Sequence, residues 1–292
     1  MSKTQSSYGG QAVLEGVMIR GKDHFSVSVR NPSGQIITRT KPVPNLLSSK
    51  LKQIPLIRGV ITLAETLVLG MDALNYSSSV ASGVEPEATS RLSIISMLVI
   101  SLTIAIILFF ILPLLASKPF EGMFGNDITS NISEGIIRLI IFLVYISLIG
   151  LMQDIKRVYM YHGAEHMTVH AQEKNELLSI ENIKKHPTAH PRCGTAFLLT
   201  VMVVAIVIFT LIPREPMWLL YGSRIVLIPF IASVSYEFIR LTGRYQNVPM
   251  FRALSIPNLM LQSLTTKHPD DAQIEVAVAA MEATIKADKE LD

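Results

Sequence analysis

Residues 92–116 read LSIISMLVISLTIAIILFFILPLLA, 25 consecutive positions without a charged side chain. At about 1.5 Å per helical residue this run exceeds the roughly 30 Å of bilayer hydrocarbon, so it predicts a transmembrane helix. Three shorter apolar runs lie downstream: Leu139–Met152, extended to Ile136 if Arg138 snorkels, then Ala196–Ile212, then Ile225 to about Ile239. Each is near the roughly 17-residue lower limit for a span, which predicts about four spans packed against one another.

The rest of the chain is too polar for a bare helical bundle. Of its 292 residues 49% are hydrophobic and 17% charged, and the mean hydropathy is +0.41. Those values predict an α-helical polytopic membrane protein with substantial aqueous parts. Residues 1–10 hold no cationic stretch followed by an apolar core, so no cleavable signal is expected and the first span serves as its own insertion signal. Lys and Arg alternate along the chain: ten in residues 1–91, one in 117–135, six in 153–195, two in 213–224 and six in 240–292. The positive-inside rule then places both termini and the insert 153–195 in the cytoplasm. A single cysteine fits a reducing compartment. With the basic residues accounted for by topology and a net charge of only +3, no nucleic-acid partner is expected.

The insert concentrates the metal-binding side chains. Tyr161-His162-Gly163-Ala164-Glu165-His166 and His190-Pro191-Arg192-Cys193-Gly194 hold three of the seven histidines, the only cysteine and a carboxylate within 34 positions. On a helix, His162, Glu165, His166, Val169 and Glu173 fall within about 80° of one another. Imidazoles at i and i+4 can chelate one divalent ion, with the acid between them as proton acceptor, and His-x-x-Glu-His is also the spacing of one class of zinc peptidases. The expected site is therefore His162 and His166 as ligands of a divalent metal, zinc by donor type, with Glu165 as general base. His190, Cys193 or Glu237 would complete the shell, with His170 and His186 in reserve. Glu237 ends the fourth span, where an ionisable group needs a partner; Arg240, three residues on, is the expected one. The same histidines would also serve as hydrogen-bonding or surface groups and Cys193 as a small packed side chain; spacing alone leaves both open.

Four segments follow. Residues 1–53 form a small cytosolic β element: the glycine-flanked stretch 9–21 reads as a strand whose backbone closely approaches something, Phe25, Val27 and Val29 alternate with polar residues, Asn31-Pro32-Ser33-Gly34 turns, and 35–40 is the next strand. Glu15 and Arg20 are expected as exposed strand charges or pocket residues. Residues 54–90 hold an interfacial or re-entrant helix up to Asn75 or Tyr76, with Arg58, Glu65 and Asp72 in a charged stripe, followed by a serine-rich linker. Residues 91–240 are the membrane domain, whose outer loop 117–135 carries no reactive cluster. Residues 241–292 run through a basic segment and an apolar connection, 256–266, to an amphipathic helix over 269–289, whose seam of Ile274, Val278, Met281 and Ile285 needs a cytosolic surface, most economically the β element.

These motifs carry a resemblance. GGQAVLEGVMIRG at 9–21, YHGAEH at 161–166, HPRCGT at 190–195, SYEFIR at 235–240, LQSLTT at 261–266 and IEVA at 274–277 look like the YqhQ-like family of bacterial membrane proteins, over nearly the full chain. The family is described as a domain of unknown function and predicted to be metal-dependent. The resemblance therefore implies a bacterial plasma-membrane protein with His162, Glu165, His166, His190 and Cys193 as its functional set. The second-helix glutamate of the peptidases has no counterpart, which argues against proteolysis. Two functions stand: a membrane-anchored metal-dependent hydrolase, or a non-enzymatic assembly or quality-control factor docking another membrane complex such as the protein-export channel. A transporter has less behind it, because the first span holds no ionisable group.

Overall fold

A computed structural model describes residues 8–44, 53–84, 91–120, 126–191, 193–245 and 248–290. The segment 1–7, the remainder of the two linkers before residues 53 and 91, and Arg192 of the second motif lie outside these ranges. Four antiparallel strands come first, β1 (Gly9–Val13), β2 (Gly16–Arg20), β3 (His24–Arg30) and β4 (Ile36–Pro42), paired in sequence order. Next are α1 (Ile57–Ala81), α2 (Arg91–Ile106), a π turn (Ile107–Ile111), α3 (Leu112–Ser117), α4 (Asp127–Ile149), α5 (Gln153–Glu173), the short α6 (Ile180–Ile183), α7 (Thr195–Thr210), α8 (Met217–Val226), α9 (Ile228–Arg244), α10 (Pro249–Thr265) and α11 (Asp271–Lys289). The molecule is mostly helical.

The stretch read as one strand at 9–21 is a hairpin. Val13 faces Gly16 in the register, so Leu14 and Glu15 form a two-residue turn, with Glu15 at φ 49°. Met18, Val27 and Val13 belong to one buried cluster with Leu69, Ala73 and Tyr76 of α1. Val17 and Ile19, on the other face, pack with Tyr161 and Ala164 of α5 and Ile274, Ala277 and Met281 of α11. Because helices cover both faces, the polar half of the alternation is buried too, and Ser26 and Ser28 are satisfied across the sheet by Thr40 (2.8 Å) and Thr38 (2.7 Å).

The terminal helix finds the surface its seam requires. Asp270 caps it through a capping box with Gln273, so it begins at Asp271 rather than 269. At its far end Asp288 accepts the backbone N–H groups of Lys22 (2.8 Å) and His24 (2.9 Å), fastening the helix to the β2–β3 turn. Glu15 is held the same way from α5: Arg157 donates to both carboxylate oxygens (2.6 and 2.5 Å). Those bonds hold the Glu15 carboxyl below its ordinary value, against the opposing effect of partial burial. The unfolded chain, with that group near about 4.3, then binds more protons than the folded one, so the pair stabilises above that pH and the contribution is lost as pH falls through the folded value. Thermal melts across the acid range should show a flatter acid limb for Glu15→Gln; an unchanged slope would refute this role.

The helix over 57–81 runs past the expected linker start at Asn75. Its serines do not break it, because Ser77 and Ser79 hydroxyls bond back to the Leu74 (3.0 Å) and Asn75 (3.1 Å) carbonyls. Its charged stripe is not simply solvated: Arg58 pairs with Glu237, Glu65 lies 3.8 Å from Arg20, and Asp72 bonds Arg39 (2.5 Å) and Lys41 (3.0 Å). The helix is thereby fixed between the sheet and α9. The expected connection over 256–266 is also helical, being the end of α10 with Pro257 inside it.

Of the expected four spans, two, or three, are found among the described residues. Ile95–Phe120 and Asp127–Ile149 are long and apolar enough to cross a membrane, and α8 with α9, bent by 47° at their junction, make a third if taken as one span. The apolar part of α7, Phe197–Thr210, is shorter; the 16 residues of α7 reach only about 24 Å at 1.5 Å each. Within this bundle Phe142, Ile146, Leu199, Met202 and Leu261 form one buried cluster, and Ala205, Phe209 and Ile231 another.

The segment assigned no reactive group contributes to a buried ionic knot. Glu134, 1% exposed, bonds Arg138 (2.5 Å), Arg214 (3.1 Å) and Arg224 (2.9 Å), and Asn131 accepts from the last two at 2.8 and 2.9 Å. Arg138 also donates to the Phe109 carbonyl (2.9 Å) in the π turn, and its guanidinium lies over Phe110 and Phe209. The i, i+4 spacing of Glu134 and Arg138 was the available sequence signal.

Candidate metal centre

Residues Tyr161 to Ala171 are buried except His170, because α5 is enclosed by β1, α11 and the returning insert. The helix puts His162 and His166 one turn apart, and their ring centroids are 4.3 Å apart. After α6 the chain turns back along this helix, and backbone hydrogen bonds fix its position. His166 Nδ1 donates to the Thr188 carbonyl (2.6 Å) and His170 Nε2 to the Ala189 carbonyl (2.9 Å). Gln262 of α10, fully buried, clamps His190 reciprocally: its Oε1 accepts the His190 N–H (2.7 Å) and its Nε2 donates to the His190 carbonyl (2.9 Å).

The result is a three-donor set. Cys193 Sγ lies 3.2 Å from His162 Nε2, and ligand atoms of His162, His166 and Cys193 all lie within 4.8 Å of one another. A tetrahedral zinc ion with bonds of about 2.1 Å to nitrogen and 2.3 Å to sulfur has donors about 3.4–3.6 Å apart, so it would need the His162–Cys193 pair to open slightly from 3.2 Å and the remaining separations to fall within that range. His162 Nδ1 donates to the Thr265 carbonyl (2.9 Å). With both Nδ1 atoms used as donors, Nε2 carries the lone pair on each ring, the arrangement that metal-ligating histidines use. The Thr195 N–H (3.3 Å) and hydroxyl (3.0 Å) face the sulfur. The donors present fit a divalent ion in kind and spacing.

Glu165 sits beside the set, 3.4 Å from His166 Nε2. Burial pushes its carboxyl above the ordinary range, while His162, His190 and the Gly10 N–H hold it back. Burial also pulls His166 and His190 down, against opposing contacts with Cys193 and Glu165 respectively, and His170 to about 4. These imidazoles are thus neutral near pH 7, with lone pairs available. Glu165, His166, His190 and Cys193 line a cavity of about 40 Å³ closed on one side by Gly10. The close approach expected of the glycine stretch occurs here: a Cβ on Gly10 would stand 3.1 Å from Glu165 Cγ and collide with the Met18 carbonyl. A larger groove, about 340 Å³, continues from Gly10 over β1 to Arg20 and α1.

The expected ligands do not all meet. His190 stands with His170 and Glu173 as a second three-donor group, 3.2 Å from Glu173. His186 pairs with Glu176 (2.9 Å). Glu237 belongs to neither group: both its oxygens are engaged by Arg58 and one also by the Leu56 N–H. Its hydrogen-bonded partner is thus Arg58 rather than Arg240, because α1, unplaced by sequence periodicity, docks on α9. Sequence reasoning also missed Gln262 and Thr265, which carry no metal-binding signature and act through carbonyl and amide groups.

Residues 54–287 match the family model described as a protein of unknown function (DUF1385). The chain is also 32% identical, across 97% of its own length and 94% of the relative's, to the uncharacterized protein YqhQ of Bacillus subtilis (strain 168). No solved structure matches. The chain therefore belongs to the YqhQ-like family, whose function is unknown.

Proposed function

We propose that the chain is a multi-pass protein of the bacterial plasma membrane, with both termini cytoplasmic, that acts as a metal-dependent hydrolase through a divalent-ion centre at the inner membrane surface. The observation that carries this is the convergence of His162, His166 and Cys193 beside the buried Glu165. His162, His166 and Cys193 would hold the ion through three protein donors, the number that catalytic zinc sites use, whereas closed structural sites use four. When bound, the ion supplies Lewis-acid chemistry, bringing the pKa of a water towards about 7. Glu165, whose carboxyl burial pushes above its ordinary range, would take up the proton of that water. His162 and His166 would be held for ligation by the Thr265 and Thr188 carbonyls, and Gly10 lines the cavity beside Glu165. The Lys and Arg distribution supports the orientation, which brings all these residues to the cytoplasmic side.

Metal analysis of the full chain purified in detergent should find a zinc-type ion at stoichiometric level, resistant to dialysis. His162→Ala/His166→Ala should lose the thiolate-bound equivalent, and Cys193→Ser should weaken it by about 10- to 100-fold or more. Background metal in both wild type and double variant removes the enzymatic reading and leaves the docking role as the alternative.

A further inference from the structure

The second donor group is not needed for the first, yet one of its members, His190, lines the same cavity. His170 is the next turn of the stripe begun by His162 and His166, and its ring centroid is 4.5 Å from that of His190. His190 stands between the groups, 5.8 Å from the His166 ring, and lines the cavity with Glu165, His166 and Cys193. One ligand atom each from His170, Glu173 and His190 lie within 4.8 Å of one another. The Ala189 carbonyl takes the His170 Nε2–H (2.9 Å), which leaves Nδ1 of that neutral ring with the lone pair. Glu173 is half-buried, so an ion could enter from its side without passing the first centre.

We propose that His170, Glu173 and His190 bind a second divalent cation, making a two-ion centre with Glu165 at its shared cavity. The two shells differ in chemistry. The first is nitrogen and sulfur, suited to zinc; the second is nitrogen and oxygen, open to a harder ion such as manganese as well. Two cations flanking one cavity would each stabilise a different oxygen of the reaction, one the attacking and one the leaving oxygen. This rests on the hydrolase reading for its purpose, but its donors are separate from those of the first centre. A purely structural account is also available to these residues, since the Glu173–His190 hydrogen bond (3.2 Å) satisfies both without a metal; the test must separate the two.

Cobalt(II) makes the separation, because only the first shell contains sulfur. Titrating the full chain in detergent should bind about two equivalents, one giving an intense thiolate-to-cobalt charge-transfer band and one giving only weak ligand-field absorption. Glu173→Gln, which retains a hydrogen-bond acceptor for His190, and His170→Ala should each reduce binding to about one equivalent with the charge-transfer band intact. His162→Ala/His166→Ala should also bind about one equivalent, but without that band. If the wild type takes up a single equivalent, with the band, and Glu173→Gln changes nothing, the second site is overturned while the first stands. If no cobalt binds at all, the hydrolase reading fails along with it.

Discussion

Alanine in place of Glu134 is expected to destabilise the protein by about 3–5 kcal/mol, the range for removing one partner of a buried ion pair. The two oxygens of Glu134 receive hydrogen bonds from Arg138, Arg214 and Arg224, all at most 8% exposed. Its loss leaves three guanidinium groups at the helix crossing with their shared anion gone. Asn131 and the rings of Phe110 and Phe209 remain as neutral partners, and neutral groups do not cancel cationic repulsion. Detergent-solubilised protein should melt on the order of 10 °C lower. Adding Arg138→Met should recover part of the loss, because one buried cation is then removed as well. A drop below about 1 kcal/mol for Glu134→Ala would mean that the knot is hydrated or loosely formed.

Gly163→Ala is expected to damage the proposed metal centre without replacing any of its donors. A Cβ at this position would collide with the Lys267 carbonyl oxygen, with the carbonyl carbon at 3.2 Å and Thr188 Cγ2 at 3.3 Å. Backbone cannot rotate away as a side chain can, so the α10–α11 connection or α5 must shift. Overpacking of this kind costs about 1–3 kcal/mol. Thr265, the last residue of α10 before that connection, carries the carbonyl bonded to His162, and Thr188 carries the one bonded to His166. Displacing such supports lowers metal affinity by about 10- to 100-fold. Competition with a chelator would measure this, and Gly163→Ala with wild-type affinity would show that the two carbonyls do not position the imidazoles.

Much of the site was legible because helical spacing is local. His-x-x-Glu-His puts two imidazoles and a carboxylate on one face wherever a helix forms, and residues 153–173 form one. That Cys193 would join them, while His190 would turn to His170 and Glu173, depended on how the 21 residues between α5 and α7 fold back. Their return path is held by carbonyls of Thr188 and Ala189 and by Gln262, none of which advertises itself in a sequence. Glu237 misled for a related reason. An acid near a span end needs a partner, but Arg58, 179 positions away, could not be chosen over Arg240 without knowing where α1 lies.

By itself the sequence determined the long apolar helix over residues 92–116, the strands that the alternation at Phe25, Val27 and Val29 requires, the seam of the terminal helix and the histidine face of α5. Each follows from a period of two or 3.6 residues, or from an unbroken apolar length, and these are properties of a single segment. Tertiary structure decided the rest: the hairpin at Glu15, the helical path through Ser77 and Pro257, the knot around Glu134, and which donors stand together. The knot and the donor grouping depend on contacts between residues tens of positions apart, whereas the hairpin turn and the helix at Ser77 rest on bonds within a few residues that apolar periodicity does not reveal. Their free energy comes from excluding water between surfaces that only the folded chain brings together.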